Sequence, residues 1–412
     1  MEKGKNCVNL KNFHGLKYTS LSYLCDATRE ADARAFGRLM GHLREVDREA
    51  CTVIAVQVEN ETGVMGNARE MSDEADALFA DKAPQAFVDY MKETVQTLAS
   101  DVRAAVEQGA DSGSWKEVFG ACAEEIFSAY HIASYVNAVA AAGKAEYPLP
   151  MTANCWLDKG EEPGLYPSGG PVSRMMEVWE YCAPHIDVFA PDIYVPNFTE
   201  VCDAYVKRGN PLFIPECATH SYAGVREVYT VGHYHAMCYS PFGFEDIGKP
   251  FNAQQGILFG MDVEDPALKT PQSVEEYYWF THNLQEMMPL LAGKYGTDDL
   301  QAVSSERKEE NEMIFGSFGF RIILEHQRLT DRRGVCLILK ETEDTFYVMV
   351  HAAGFAFFST EEETPNVGIL ALEEGSFRDG VWKAGRRFNG DEATTMLFEK
   401  PALLKIRLYA YV

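Results

Sequence analysis

Between about residues 27 and 292, apolar positions recur at helical spacing, then at strand spacing, and then again. This alternation predicts βα units built on a parallel sheet. Asp26 is placed to cap a helix over 27–46, with Phe36, Leu39, Met40, Leu43 and Val46 on one face. Residues 52–58 are short, β-branched and apolar almost throughout, which predicts a strand covered on both faces, ending in Glu59-Asn60-Glu61. The polar stretch 64–83 predicts a loop over a site. Pro84 opens a helix carrying Phe87, Val88, Met91, Val95 and Leu98, and a further helix spans about 124–142 with Gly143 as its C-cap. Apolar strands follow at 149–156, 186–192, 211–216 and 236–242. Between the first two lies a helix bearing Val172, Met175, Met176 and Trp179. Ser273 and Glu276 have the spacing of a capping box and open a last helix that ends near Gly293.

The pattern then changes. Residues 293–311 are polar and charged, with the run from Glu306 to Asn311, and predict a linker or exposed excursion. Segments near 313–324, 334–340, 345–358, 367–372 and 395–411 are rich in Val, Ile, Phe and Tyr and predict an all-β region. The alternation Leu404-Lys-Ile-Arg-Leu-Tyr409 marks a sheet with one wet face. The division is therefore into 1–293 and 294–412, in keeping with a length of 412 residues, too great for one compact core.

Charge narrows the partners. Thirty-seven basic against 62 acidic side chains leave a net charge of −25, which repels phosphate backbones and anionic membranes but is indifferent to a neutral sugar. Neither nucleic acid nor membrane is an expected partner, and homo-oligomerisation stays open. No run approaches the ~18 apolar residues of a membrane span, and the polar N-terminus leads into no apolar signal core, so the expected compartment is cytoplasmic. The ten cysteines stand singly, without a CxxC pair, which predicts reduced, mostly buried thiols and no structural zinc. His233 and His235 form an HxH without an evident third ligand, and no Gly-rich phosphate loop follows a strand. Neither a metal nor another cofactor is expected. Asn60-Glu61-Thr62 fits a glycosylation sequon that the missing signal segment leaves unused.

Chemistry concentrates at strand ends. Val56-Gln-Val-Glu-Asn-Glu-Thr-Gly63 sets Asn and Glu just beyond an apolar strand, and Leu212-Phe-Ile-Pro-Glu216 closes another on a carboxylate. In a βα barrel the C-terminal strand ends form the active face. Two carboxyl groups there suit glycoside hydrolysis, in which one acid protonates the leaving oxygen while the other attacks the anomeric carbon or activates water against it. Glu61 and Glu216 lie on strands n and n+3 of the pattern, which would let them converge on one sugar.

On these motifs the chain resembles glycoside hydrolase family 35, in a bacterial branch with a β-rich C-terminal domain. VQVENETG at 56–63 is similar to the family's acid/base motif and LFIPE at 212–216 to its nucleophile motif. GKAEYPLPMTANCWL at 143–157, APDIY at 190–194 and YSPFGFE at 239–245 add to the likeness, which covers most of the chain. The resemblance implies a (β/α)8 TIM barrel followed by an all-β, sandwich-like domain. It implies a retaining exo-glycosidase acting on terminal β-galactosides through a glycosyl-enzyme, with Glu61 as acid/base and Glu216 as nucleophile. Asn60 would bind the sugar 2-OH, Tyr194 would touch the nucleophile, and Trp156 would offer an apolar platform. Asn154 and Asp192 would contribute hydrogen bonds to substrate or to its neighbours.

The strand count departs from the family. If the Glu61 strand is the fourth, the pattern holds no first three, and the chain resembles an N-terminally truncated member. A partial barrel has open edges, and much of the sugar recognition would lie in the missing part. Two alternatives therefore stay open: a catalytically impaired fragment or non-catalytic carbohydrate-binding remnant, and the same hydrolysis on another β-glycoside.

Overall fold

The computed structural model of the protein describes residues 7–11, 17–250, 254, 256, 261, 263, 264, 266–393 and 396–412. The polar opening Met1–Asn6, read above for the absence of a signal segment, lies outside them. The chain divides into two compact units, Met1–Ile193 with Lys207–Phe213, and Tyr194–Val206 with Ile214–Val412. The barrel-like part is a five-stranded sheet in the order β3-β4-β5-β6-β7, with parallel registers for β3 on β4 and β4 on β5. Two antiparallel sheets follow it in sequence. The fold class expected from the chain, a partial βα barrel followed by a β-sandwich-like region, is therefore what forms.

The first unit opens with the antiparallel hairpin β1 (Cys7–Lys11) and β2 (Lys17–Leu21). Helix α1 (Asp26–Asp47) follows, with Cys25 rather than Asp26 at its N-cap and no side-chain cap. Strand β3 is only Val56–Gln57, far shorter than the expected 52–58. The reason is local. The Asp47 carboxylate accepts the Thr52 and Val53 N–H groups at 3.1 and 2.8 Å, removing them from any ladder. Those bonds hold the Asp47 carboxyl below the usual range. Expected burial on both faces is also corrected: Ile54 is 77% exposed, and Leu39 and Val46 on the apolar face of α1 are 50% and 62% exposed. Among the described residues β3 is paired on one edge only.

The expected loop 64–83 contains α2 (Asp73–Ala80), capped by Ser72 accepting from Ala75 N, with Asp73, Glu74 and Asp76 in the first turn. Ser followed by acids is a readable helix start. Next come α3 (Gln85–Glu93), α4 (Ser100–Gln108) and α5 (Trp115–Phe119), the last with a complete Ser114/Glu117 capping box. The long α6 (Ala123–Glu146) runs through Gly143, which is therefore not a C-cap. A Cβ at Gly143 would sit 2.3 Å from the Phe36 ring, so the glycine serves the close approach of α1 to α6. Strand β4 (Met151–Trp156), α7 (Met176–Cys182) and β5 (Val188–Ile193) complete the unit, with both strands almost wholly buried.

The second unit carries α8 (Phe198–Tyr205), β6 (Phe213–Cys217, whose first residue falls in the other unit), α9 (Ala223–His233), β7 (Cys238–Pro241) and α10 (Val274–Ala292). Ser273 caps α10 by accepting from Glu276 N at 3.3 Å. The expected linker holds β8 (Leu300–Ser304), four of whose five residues are buried. Strands β9 (Glu312–Phe315), β10 (Phe318–Ile323), β11 (Val335–Lys340), β12 (Thr345–His351), β13 (Ala353–Ser359), β14 (Asn366–Arg378), β15 (Val381–Arg387), β16 (Leu397–Phe398) and β17 (Ala402–Tyr411) follow. They form a six-stranded sheet, β15-β14-β17-β12-β11-β8, and a four-stranded one, β16-β13-β10-β9. The single segment expected at 345–358 changes sheets at Ala352, whose φ is 43°.

One core packs Phe320, Phe346, Val348 and Leu404 between the sheets. A second packs Leu337, Met349 and Leu403 with Val225, Phe280 and Leu284 of α9 and α10. Leu404, Ile406 and Leu408 are buried while Arg407 and Tyr409 are exposed, as the alternation predicts. Cys122, Cys155, Cys182, Cys202, Cys217 and Cys336 are buried free thiols, and Cys25, Cys51 and Cys238 are free thiols as well. Among the described residues no helix is long and apolar enough to cross a membrane.

Candidate active site

In the first unit the chain leaves buried Val58 through two residues with left-handed backbone, Glu59 (φ 60°) and Glu61 (φ 43°), flanking Asn60. Non-glycine residues in that region store strain and are held by their surroundings. Asn154 on β4 is the main holder. Its Oδ1 accepts the Glu61 N–H at 3.1 Å, and its Nδ2 donates to Asn60 Oδ1 at 3.2 Å and to Asp192 Oδ2 at 2.8 Å. Asn154 and Asp192 are 2% and 3% exposed, so in this unit they act on the positions of Asn60 and Glu61. Gln57 donates from Nε2 to Glu59 O (3.1 Å) and Asn60 Oδ1 (3.2 Å). With its carbonyl oxygen accepting twice, exposed Asn60 has its amide N–H groups as the end suited to a ligand oxygen.

The loop after β4 braces this turn from outside. Val64 and Ser168 exchange backbone hydrogen bonds at 2.9 and 3.0 Å. A Cβ on Gly170 would lie 2.4 Å from Thr62 O, so only a glycine admits this approach. Trp156 ends β4 half-buried.

Asn154→Ala removes the shared anchor of three groups. It is expected to lower stability by about 1–3 kcal/mol. Urea unfolding would show this as a lower midpoint with an unchanged slope. An unchanged midpoint would mean that the Asn154 bonds add nothing.

In the second unit Tyr194, 9% exposed, donates from its hydroxyl to Glu216 Oε2 at 2.8 Å, the contact expected between these two residues. Its surroundings rest on residues that the sequence pattern did not single out. Arg226 of α9, 5% exposed, pairs through Nη2 and Nε with Glu306 Oε1 and Oε2 at 2.6 and 2.9 Å and lies 4.4 Å over the Phe198 ring. Its Nη2 also reaches Pro196 O at 3.4 Å, and its Nη1 lies 3.0 Å from His220 Nε2. Burial, then the guanidinium, hold His220 far below the ordinary imidazole range and hence neutral. Glu306, placed by its charged run in a linker, is thus the half-buried ion-pair partner of a buried guanidinium.

The HxH has structural occupations. His233 stacks on Tyr229, while His235 accepts Gly296 N–H at Nδ1 and lies 3.0 Å from Leu300 O through Nε2, which uses both ring nitrogens. Glu276, Asp331 and His351 cluster closely, but the Arg333 guanidinium already bridges Glu276 and Asp331, so a cation is in place.

Residues 282–398 match the model of a domain of unknown function, DUF5597. No curated protein sequence matches the chain. Among solved structures, BuGH86wt in complex with neoagarooctaose is similar at 11% identity and a TM-score of 0.32, over 91% of this chain and 66% of that one. Its variant BuGH86E322Q with the same ligand matches at 11% identity and a TM-score of 0.30, over 91% and 65%. An endogalactoceramidase matches at 11% identity and a TM-score of 0.23, over 81% and 65%. The chain thus spans about two thirds of the length of these proteins.

Proposed function

We propose that the protein is a carbohydrate-active hydrolase, a retaining exo-glycosidase acting on terminal β-galactosides, with residues 1–293 as the hydrolase half. Glu61 is the acid/base and Glu216 the nucleophile. The observation that carries this reading is the Tyr194–Glu216 hydrogen bond of 2.8 Å at the end of β6, because it fixes the orientation of the carboxyl group that would attack. The Asn154 bonds to Asn60 and Glu61 support it from the other strand end.

In the proposed reaction Glu61 gives its proton to the glycosidic oxygen while a Glu216 oxygen bonds to the anomeric carbon and the leaving alcohol departs. Glu61, now ionised, takes a proton from water, whose oxygen displaces Glu216. Asn60 donates to the 2-OH, and Trp156 offers a sugar face its ring. This mechanism requires the carboxyl groups to stand about 5–5.5 Å apart around the sugar. The chemistry needs no metal or other cofactor.

The test is hydrolysis of nitrophenyl β-galactoside by the purified chain beside Glu216→Gln. Release by the wild type alone supports the reading. A second reading, a non-catalytic carbohydrate-binding protein, is favoured by the exposed side chains around the two-residue β3. Equal rates for both chains would favour it.

A further inference from the structure

The turn that carries Asn60 and Glu61 is held by Asn154 of β4 and, through the residues that follow it, by the stretch 164–170 of the loop after β4. Gly66 N–H donates to Gly164 O at 2.7 Å, beside the Val64–Ser168 exchange, so the two loop residues that meet the turn flank Tyr166. Tyr166 is 0% exposed, and its hydroxyl donates to Oε1 of Glu125 on α6, itself 2% exposed. Arg174, just before α7, donates from Nη1 to Glu125 Oε2 and, at 3.2 Å, to the Tyr166 hydroxyl oxygen, and from Nη2 to Asp101 of α4. We infer that Tyr166 and Arg174 are positioning residues for the acid/base: anchored on Glu125, they fix the loop that holds the turn bearing Asn60 and Glu61.

A buried carboxyl group is costly unless its oxygens are met, and once met it admits one arrangement of its partners. Both Glu125 oxygens are met here, by groups 41 and 49 residues away in sequence. From this anchor to the turn the links are short. Gly164 N–H donates to Tyr166 O at 3.2 Å, Ser168 Oγ to Ala68 O at 2.6 Å, and Trp179 Nε1 to Gly169 O at 3.1 Å, which ties the loop on both sides of Tyr166. A Cβ on Gly63 would lie 2.4 Å from the Pro167 backbone, so a shift of the loop passes directly to the residues after Glu61. Loss of either anchor should therefore loosen the Glu61 backbone, whose left-handed φ of 43° needs outside support.

The clamp rests on the proposed chemistry of Glu61 only for its effect on rate, and amide hydrogen exchange on the full chain reads it without substrate. Tyr166→Phe keeps the ring and leaves Glu125 paired with Arg174. Arg174→Lys keeps a charge but cannot span Glu125, Tyr166 and Asp101 together. Each should speed exchange at Glu61, Val64 and Gly66 by about 10-fold, the scale of one lost hydrogen bond. Arg44→Met, which breaks the Arg44–Glu146 pair of α1 and α6, should leave these amides unchanged. In kinetics, kcat/KM reports the bond-breaking step, where a displaced Glu61 matters most for a leaving group that needs its proton. Tyr166→Phe should lower kcat/KM on phenyl β-galactoside by about 10-fold and leave the dinitrophenyl galactoside within about 2-fold. Unchanged exchange in both variants would overturn the clamp, and so would equal acceleration in Arg44→Met, which would show a general loss of stability. Faster exchange with equal losses on the two substrates, or with none, would overturn the positioning of Glu61. A wild-type chain inactive on both substrates would count against the glycosidase reading, and exchange alone would then decide whether the clamp holds the turn.

Discussion

Glu216→Gln is expected to lower kcat on nitrophenyl β-galactoside by at least about 10³-fold, the scale of losing a covalent nucleophile. The amide keeps the side chain's size and can still meet the Tyr194 hydroxyl, so the loss isolates nucleophilicity from packing. Glu61→Gln should differ in kind. General acid–base assistance is worth about 10²–10⁴-fold. Its loss should fall heavily on poor leaving groups and lightly on activated ones that depart without a proton. Azide separates the roles by stereochemistry. With Glu61→Ala it should intercept the glycosyl-enzyme and yield the β-glycosyl azide. With Glu216→Ala it should attack the substrate directly and yield the α anomer. The same anomer from both variants, measured by proton NMR, would contradict the assignment.

Arg226→Met should destabilise the protein by about 3 kcal/mol, the low end for a buried pair, because removing the buried guanidinium leaves the half-buried Glu306 carboxylate uncompensated. That is a large share of the ~5–15 kcal/mol available to a folded domain. Here the stranded group is Glu306, which the guanidinium meets with two hydrogen bonds. The variant also gives up the stack on Phe198 and the bond to Pro196 O, both close in sequence to Tyr194, so the Tyr194–Glu216 contact should loosen. Arg226→Met combined with Glu306→Leu should recover most of the loss, since replacing both partners by apolar groups removes the uncompensated charge. Thermal unfolding of the three chains gives the comparison. A double variant no better than Arg226→Met alone would show that packing by Arg226, rather than its charge, is what the fold needs.

Periodicity carried much of the architecture because the change from alternating helix and strand signals to β-rich segments near residue 293 reflects two ways of covering a sheet. Strand-end position singled out Asn60, Glu61 and Glu216, because the ends of buried strands are where polar side chains can be held in place, whereas Asn154 and Asp192 came from the family resemblance. Features set by distant partners were not legible. Leu300–Ser304 sits between acidic residues and a charged run, and reads as a strand only once β11 pairs with it. Glu306 looks solvated until Arg226, 80 residues away in sequence, meets it.

Local rules also misled where packing overrode them. Gly143 has the position of a C-cap, but the helix continues because the glycine makes room for Phe36. Residues 52–58 have the composition of a buried strand, yet the Asp47 carboxylate takes their first N–H groups and, among the described residues, only one edge of β3 is paired.

In the proposed mechanism Glu216 attacks a β-galactoside and becomes covalently bound to it. The most direct measurement is mass spectrometry of the chain after incubation with a 2-deoxy-2-fluoro-β-galactoside bearing an activated leaving group, whose fluorine slows breakdown of the glycosyl-enzyme. A single fluorogalactosyl adduct is expected on the peptide containing Glu216, lost in Glu216→Gln. No adduct, or one on another carboxylate, would contradict it.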